Sequence, residues 1–438
     1  MKLNKIIQGD CLDVMKTFPD NSIDTIITDP PYHLTSIVKR FGKKGSAPAK
    51  FGTDGAFQRA SKGFMGKEWD GGNIAFTTEL WKECLRVLKP GGTLLSFGGS
   101  RTYHRMACAV EDAGFILKDC IMWLYGSGFP KATDISKQLD KKMGVEHPKN
   151  TPISDNGSMS GANYTRNKME VKSREAKLWN GWKSHGLKPA YEPIIVAMKS
   201  NDGTYAANAL KHGVAGLNID GGRIKSNEKL VRPAIQREKK EAMFPLGAGT
   251  QIEPQGRFPA NILLDSEAAK MLDEQSGESK SGWKDTDKTN KVGSTWDISQ
   301  GKKYTGSHFG DKGGASRFFY VAKASKSERN MGCEELEEKK IKHGLHSTSF
   351  IGEKEYETNT IGKNNHPTVK PLKLMEYLCI LTKTPTGGIV LDPFAGSGTT
   401  CMACKRTGRP FIGIEQDKEY YKIAEARIKA TIVDNKLC

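Results

Sequence analysis

Asp392-Pro393-Phe394-Ala395-Gly396-Ser397-Gly398-Thr399-Thr400 decides the fold. Just upstream, Gly387-Gly388 break the chain and Ile389-Val390-Leu391 is a short apolar run, which predicts a buried strand ending at Asp392. Ligands of open α/β sheets sit at that carboxyl end. Gly396 and Gly398 carry no Cβ, so the backbone turns tightly there and approaches a ligand closely. Thr399-Thr400 opens a predicted helix through Lys405-Arg406, with Gly408 as its stop. Phe411-Ile412-Gly413-Ile414 reads as the next strand, ending in Glu415. An acid about twenty positions beyond a glycine loop is where a carboxylate accepts hydrogen bonds from ribose hydroxyls. No Gly-Lys-Ser/Thr follows, so this is not a Walker loop, and Cys401 stands where the third glycine of a dinucleotide fingerprint would be. The expectation is an α/β sheet holding a nucleotide-like cofactor; the plainer alternative is an ordinary strand-to-helix turn.

A second stretch lies near the amino terminus. Ile23-Asp24-Thr25-Ile26-Ile27-Thr28 is largely apolar and β-branched and reads as a central strand. It runs into Asp29-Pro30-Pro31-Tyr32. Two prolines fix φ and remove two donors, so the backbone is stiff and its carbonyls are available as acceptors. A carboxylate beside such a carbonyl matches the two N–H donors of an exocyclic amino group. Tyr32 offers a flat face for stacking, worth roughly 1–3 kcal/mol per base. A proline-terminated strand and turn is the bland reading of the same residues.

Taken together, these motifs resemble the DNA amino-methyltransferases, which make N6-methyladenine or N4-methylcytosine. The order is similar to their β group, in which the Asp29–Tyr32 motif comes first and the glycine loop last. Four further stretches are similar to family segments. Gly9-Asp10-Cys11-Leu12-Asp13 resembles the contact to the cofactor's adenine through Asp10, and His366-Pro367-Thr368-Val369-Lys370-Pro371 a short motif before the loop. Leu88-Lys89-Pro90-Gly91-Gly92-Thr93-Leu94 resembles a helix end and following strand, and Glu192-Pro193-Ile194-Ile195-Val196 the last strand of the catalytic sheet.

The resemblance implies a Rossmann-like, circularly ordered sheet with helices on both faces and S-adenosylmethionine as cofactor. Asp392, Pro393, Phe394, Gly396, Gly398, Thr399 and Glu415 would hold it, with Asp10 at its adenine end and Thr368 and Lys370 reaching it. Asp29, Pro30, Pro31 and Tyr32 would act on a base flipped out of double-stranded DNA. Asp at the first motif position favours adenine, Ser being commoner in N4-cytosine enzymes; N4-cytosine stays as the alternative. An RNA base or a protein amide is a further alternative, although protein amide methylators usually carry Asn where Asp29 stands. So is a binding subunit without catalysis, against which both intact motifs argue. Kinship with phage and restriction-associated enzymes leaves a restriction endonuclease partner and the oligomeric state open.

Composition agrees with a polyanion partner. Formal charge is +17 and the isoelectric point about 9.3. From His33 to Lys67 there are eight Lys or Arg and one acid, Asp54, in a Gly/Ser/Ala-rich stretch that reads as a mobile loop able to grip phosphates. Lys131 to Lys188 is a second basic stretch, in which Tyr164, Trp179 and Trp182 either stack on bases or pin the loop.

A chain of 438 residues predicts two domains: a catalytic one from 1–199 and 346–438, and a target-recognition insertion at 200–345. Within the insertion, Phe258–Asp265 and Arg317–Ala322 read as strands, Ser266 as the cap of a helix to about Gln275, and Gly277–Gly314 as loop. Apolar runs reach about five residues, far short of the roughly 20 that span a bilayer, and the first residues are no signal peptide. Nine scattered cysteines suggest reduced thiols and a cytoplasmic protein. Cys401 and Cys404 form one Cys-x-x-Cys unit without a second pair, so no metal site is expected. No cysteine follows a proline, which speaks against covalent attack on cytosine carbon 5.

Overall fold

The computed structural model describes residues 1–32, 73–128, 132–145, 171–224, 256–280, 312–322, 327–337, 339–341, 360–366 and 368–434. The basic stretch from His33 to Lys67 and Tyr164 lie outside these. The chain divides into two compact units, one of Met1–Gly126, Tyr191–Leu336 and Thr368–Cys438, the other of Ser127–Ala190 and Glu337–Pro367.

The larger unit is built on one sheet. In chain order its strands are β1 (Lys5–Gln8), β2 (Ile23–Thr28), β3 (Leu88–Phe97), β4 (Ile116–Leu124), β5 (Tyr191–Met198) and β6 (Ile262–Asp265). A two-residue ribbon, β7 (Ser279–Lys280) with β8 (Lys312–Gly313), precedes β9 (Tyr320–Ala322). After β10 (Lys339–Ile341) and β11 (Thr360–Gly362), which pair within the smaller unit, come β12 (Val390–Asp392) and β13 (Phe411–Glu415). The sheet order is β1-β13-β12-β2-β3-β5-β4-β6-β9. Only β5 runs against its neighbours, antiparallel to β3 and β4.

Near-continuous apolar strands are what a sheet covered on both faces requires. Alternate residues supply the two sides. Ile26, Leu94, Ile195, Leu391 and Ile412 join one buried cluster with Met15, Trp81 and Val110 from the helices Cys11–Lys16, Thr78–Val87 and Tyr103–Asp112. Ile27, Leu95, Ile194, Val390 and Phe411 join another with Leu378, Met402 and Ala424 from Leu372–Leu381, Thr399–Arg406 and Lys418–Ala430. The expected α/β architecture with helices on both faces is therefore present. So is the circular order: β12 lies parallel beside β2, with Val390 opposite Thr25 and Leu391 opposite Ile26.

Arg409 holds that junction. It is 2% exposed, and its guanidinium donates to the carbonyls of Gly387 and Cys379 at 2.9 Å and to Thr25 Oγ1 at 3.0 Å. One side chain thus ties the approach to β12, the preceding helix and β2 together.

Local readings differ from the structure in several places. Pro90-Gly91-Gly92 lies inside β3 rather than before it. The helix Ser266–Ser276 is capped by Asp265, whose side chain accepts from Ala268 N at 2.7 Å. Arg317 and Phe318 belong to a 3-10 turn, because the Arg317 guanidinium donates to the carbonyls of Gly313 and Gly314 at 2.6 and 2.7 Å. The boundaries expected at 199/200 and 345/346 do not coincide with the compact units. β6 and β9 extend the main sheet beyond β4, and residues through Leu336 fold with it.

In the smaller unit the helices Ile135–Lys142 and Arg174–Leu178 are joined through buried Asp140, which accepts from Ser173 N at 2.9 Å and Oγ at 2.6 Å. Trp179 and Trp182 meet edge to face at 5.6 Å and are 42% and 62% exposed, so neither is sunk in a core. No helix among the described residues is long and apolar enough to cross a membrane.

Candidate active site

The carboxyl edge of the sheet gathers acids. Asp10 follows β1, Glu415 ends β13, Asp392 ends β12 and Asp29 follows β2, and these four strands are consecutive and parallel. Because β5 runs the other way, its amino-terminal end lies at the same edge, which brings Glu192 there too. At this point the order of strands reverses: β12 leads to β13 on one side, while β2 lies on the other. That is the switch-point crevice where open α/β sheets bind ligands.

The glycine loop is shaped by its contacts. Gly396 and Gly398 have φ of 52° and 79°, and a Cβ on Gly398 would lie 2.9 Å from Ala424 Cβ. Gly396 N donates to Glu415 Oε2 at 2.8 Å, and Asp417 N to Oε1 at 2.8 Å. Arg427, fully buried, donates to the Ser397 carbonyl and, at 2.9 Å, to its Oγ, bracing the loop from behind. Pro393 and Thr399 are buried, and Phe394 is half-buried. Thr28 Oγ1 donates to Asp392 Oδ1 at 2.8 Å, linking the two motifs directly across 364 residues of sequence. Phe394 N donates to the same oxygen at 3.1 Å.

Burial pushes the Asp392 carboxyl up to about 6, although hydrogen bonds from Thr400 and Thr28 pull against it. Burial likewise pushes Glu415 up to about 7, against the two backbone donors. Asp10 caps the first helix, accepting from Leu12 N at 2.9 Å, and Gly9 N donates to the Glu415 carbonyl at 3.0 Å. Asp10 and Glu415 are thus held at adjacent strand ends.

On the other side of Asp392 lies a compact polar cluster. Tyr32 Oη donates to Asp29 Oδ1 at 2.7 Å and lies 3.3 Å from Glu192 Oε2. Lys370 Nζ stands 2.7 Å from Asp29 Oδ2 and 3.1 Å from Glu192 Oε2. Its side chain is 9% exposed, and Nζ lies 4.9 Å from the centre of the Phe97 ring. Burial pulls the ammonium's pKa down, but Asp29 and Glu192 outweigh it and the net direction is up. The Tyr32 phenol is raised as well, by burial first and then by Asp29 and Glu192. The Tyr32 carbonyl accepts from Thr102 Oγ1 at 3.0 Å, and a side chain at Gly99 would come within 3.2 Å of the Tyr32 ring. Pro30 and Pro31 are buried; Thr368 is exposed.

Asp10, Asp29, Asp392 and Glu415 therefore lie along one edge of one sheet, with Tyr32 and Lys370 in contact with Asp29. Lys370, whose motif suggested a cofactor contact, is ion-paired with Asp29. Glu192, Thr28 and Arg427 were not singled out from sequence. Glu192 had one available signal, its place at the start of a strand next to the site. Among the described residues, no group of three or more His, Cys, Asp or Glu side chains is placed to hold a metal ion. Cys401 and Cys404 are buried, with Cys404 Sγ 3.6 Å from Cys379 Sγ.

A doubly wound sheet with a glycine loop and an Asp-Pro-Pro-Tyr turn on adjacent strand ends defines a class: α/β proteins with a switch-point crevice at the carboxyl edge of the sheet. The N6_N4_Mtase family, described as DNA methylase, matches residues 23–426, and the chain belongs to that family. The type II methyltransferase M.HindIII of Haemophilus influenzae is 23% identical over 97% of this chain and 94% of its own length. The type II methyltransferase M2.DpnII of Streptococcus pneumoniae is 55% identical over a segment that is 15% of this chain; that match spans only 24% of the relative's length. Among solved structures, the PvuII DNA methyltransferase (cytosine-N4-specific) aligns with a TM-score of 0.40 at 14% identity, covering 96% of this chain and 85% of that one. The M1.HpyAVI–SAM complex aligns with a TM-score of 0.34 at 16% identity, covering 97% of each chain.

Proposed function

We propose that the protein methylates the N6 amino group of adenine in double-stranded DNA, with S-adenosylmethionine as donor. The observation that carries this is the Thr28–Asp392 hydrogen bond, which ties the strand leading into the Asp29–Tyr32 turn to the strand leading into the glycine loop.

The residues present fit the cofactor. Glu415 uses each carboxylate oxygen once on backbone amides and keeps lone pairs for ribose hydroxyls. Asp10 at the next strand end suits the adenine end, and Phe394 is half-buried beside the loop. Gly396, Gly398, Pro393 and Thr399 form the turn that lets backbone come close. Among the described residues, an edge with five carboxylates and one lysine favours a cation. When bound, the cofactor supplies an electrophilic methyl group on a positive sulfur.

Everything else falls to the chain. The target adenine must leave the helix, at a cost of roughly a few kcal/mol. Tyr32 lies against its face. Asp29 accepts one amino hydrogen and the Pro30 carbonyl the other, with Pro31 keeping the turn rigid. Both contacts draw the nitrogen lone pair out of conjugation and aim it. Asp29 need not be a strong base, since the proton leaves after attack, when the nitrogen is cationic. Orientation of this kind is worth up to about 7–11 kcal/mol.

Sequence reading is assigned to residues 200–345. Support comes from Arg257 and Arg317, which flank the Phe318 ring at 4.5 and 4.3 Å, an arrangement suited to phosphates and bases. The type II methyltransferase relatives make a restriction endonuclease the natural companion.

Transfer of labelled methyl to DNA followed by nucleoside mass spectrometry tests the proposal. N6-methyladenine is the expected product. N4-methylcytosine would overturn the choice of base, and labelling of RNA or protein alone would overturn the substrate.

A further inference from the structure

Among the described residues, Lys370 is the one cation in a buried cluster with two carboxylates and a phenol. Its ammonium touches Asp29 Oδ2 at 2.7 Å, Glu192 Oε2 at 3.1 Å and Tyr32 Oη at 3.3 Å. The Tyr32 hydroxyl closes the ring by reaching Asp29 Oδ1 and Glu192 Oε2. Two carboxylates and one ammonium leave one net negative charge. Without the ammonium, two carboxylates would face each other in a site largely screened from water, and like charges so placed share a proton.

Resting on the adenine-methylation reading above, we propose that Lys370 and Glu192 are positioning residues for Asp29. The ammonium, clamped between the two acids, holds the Asp29 carboxyl group turned so that its remaining lone pairs meet the target amino group. Glu192 fixes where the ammonium stands. Each acid has lone pairs beyond those the cluster uses, so Asp29 receives the amine without giving up Lys370. The geometry favours this over a role for Lys370 on the cofactor: every contact of its Nζ given above lies on the β2, β3 and β5 side of Asp392. Among the described residues, two other titratable groups face the cluster: Asp392 next to Asp29, and Tyr125, which feels both Glu192 and Lys370.

The test is the pH profile of kcat for full-length wild type, Lys370→Met, Glu192→Gln and the double variant, with cofactor affinity measured by calorimetry. Wild type must first methylate adenine; failure there refutes the function and not this inference. Lys370→Met should lower kcat at pH 7 by about 100-fold and move its acid limb up by about one pH unit or more, with cofactor affinity within about three-fold of wild type. Removing Glu192 as well restores the charge balance, so the double variant should return the limb to near wild type and recover about ten-fold of the lost rate. Glu192→Gln alone leaves Asp29 facing the ammonium without a competing acid and should move the limb down. Cofactor affinity falling in step with kcat in Lys370→Met, or a double variant no better than Lys370→Met, would overturn the proposal. Should Lys370→Met fail to fold, Glu192→Gln decides, and an unmoved limb refutes it.

Discussion

Thr28→Val isolates the link between the two motifs. Thr28 is fully buried in β2, and its hydroxyl donates to Asp392 Oδ1 at 2.8 Å. Valine keeps the β-branched shape that the strand needs and removes only the donor. A hydrogen bond to a charged group contributes about 1.5–3 kcal/mol, and about 1.4 kcal/mol corresponds to one pKa unit. Asp392, already pushed up to about 6 by burial, should therefore rise further. The rise should be about one to two units, so the ionised fraction at pH 7 drops from about nine-tenths to between about a half and a tenth. If the cationic cofactor needs ionised Asp392, affinity should fall about two- to ten-fold at pH 7 and recover to within about two-fold at pH 9. Isothermal calorimetry with S-adenosylmethionine from pH 5 to 9 reads this directly. Superimposable profiles for wild type and Thr28→Val would refute the reasoning.

Three further outcomes are expected. Asp392 has a folded-state pKa of about 6, above its ordinary 3.8, so its ionisation destabilises the fold increasingly as pH rises between those values. Asp392→Asn should accordingly stabilise the cofactor-free protein by on the order of 1–3 kcal/mol at pH 8 and much less at pH 4, read by urea unfolding; equal effects at both pH values would count against it. Gly398→Ala places a methyl group against Ala424 in a residue with φ of 79° and should cost about 1–3 kcal/mol in the same assay, whereas an unchanged midpoint would show the helix giving way freely. Arg317→Ala should weaken DNA binding and reduce the slope of log affinity against log salt by about one, measured by fluorescence anisotropy, if its guanidinium meets a phosphate.

Where structure is dictated locally, it was legible. The run Ile23–Thr28 is β2 to the residue, and the helix from Thr399 to Arg406 begins and ends where its glycines require. The carboxylates Asp29, Asp392 and Glu415 were legible as strand-end acids because each closes a largely apolar run, whereas Asp10 was indicated only by the resemblance of Gly9–Asp13 to a family segment. What sequence did not reveal depends on distant partners. Glu192 meets Tyr32 across 160 residues, and Lys370 meets Tyr32 across 338. Arg317 looked like the start of a strand because its bonds to the Gly313 and Gly314 carbonyls leave no mark on apolar periodicity. The strands β6 and β9 at one end of the sheet were recognised as strands, but a run of three or four residues carries no signal of which sheet it joins.

The central claim is that one sheet edge holds a cofactor at Asp392 and Glu415 and, separately, an amine at Asp29. Asp29→Ala tests it most directly, with tritiated methyl transfer to DNA and calorimetric cofactor binding measured on the same preparation. Transfer should disappear while cofactor affinity stays close to wild type. Equal loss of both, or survival of transfer, would contradict it.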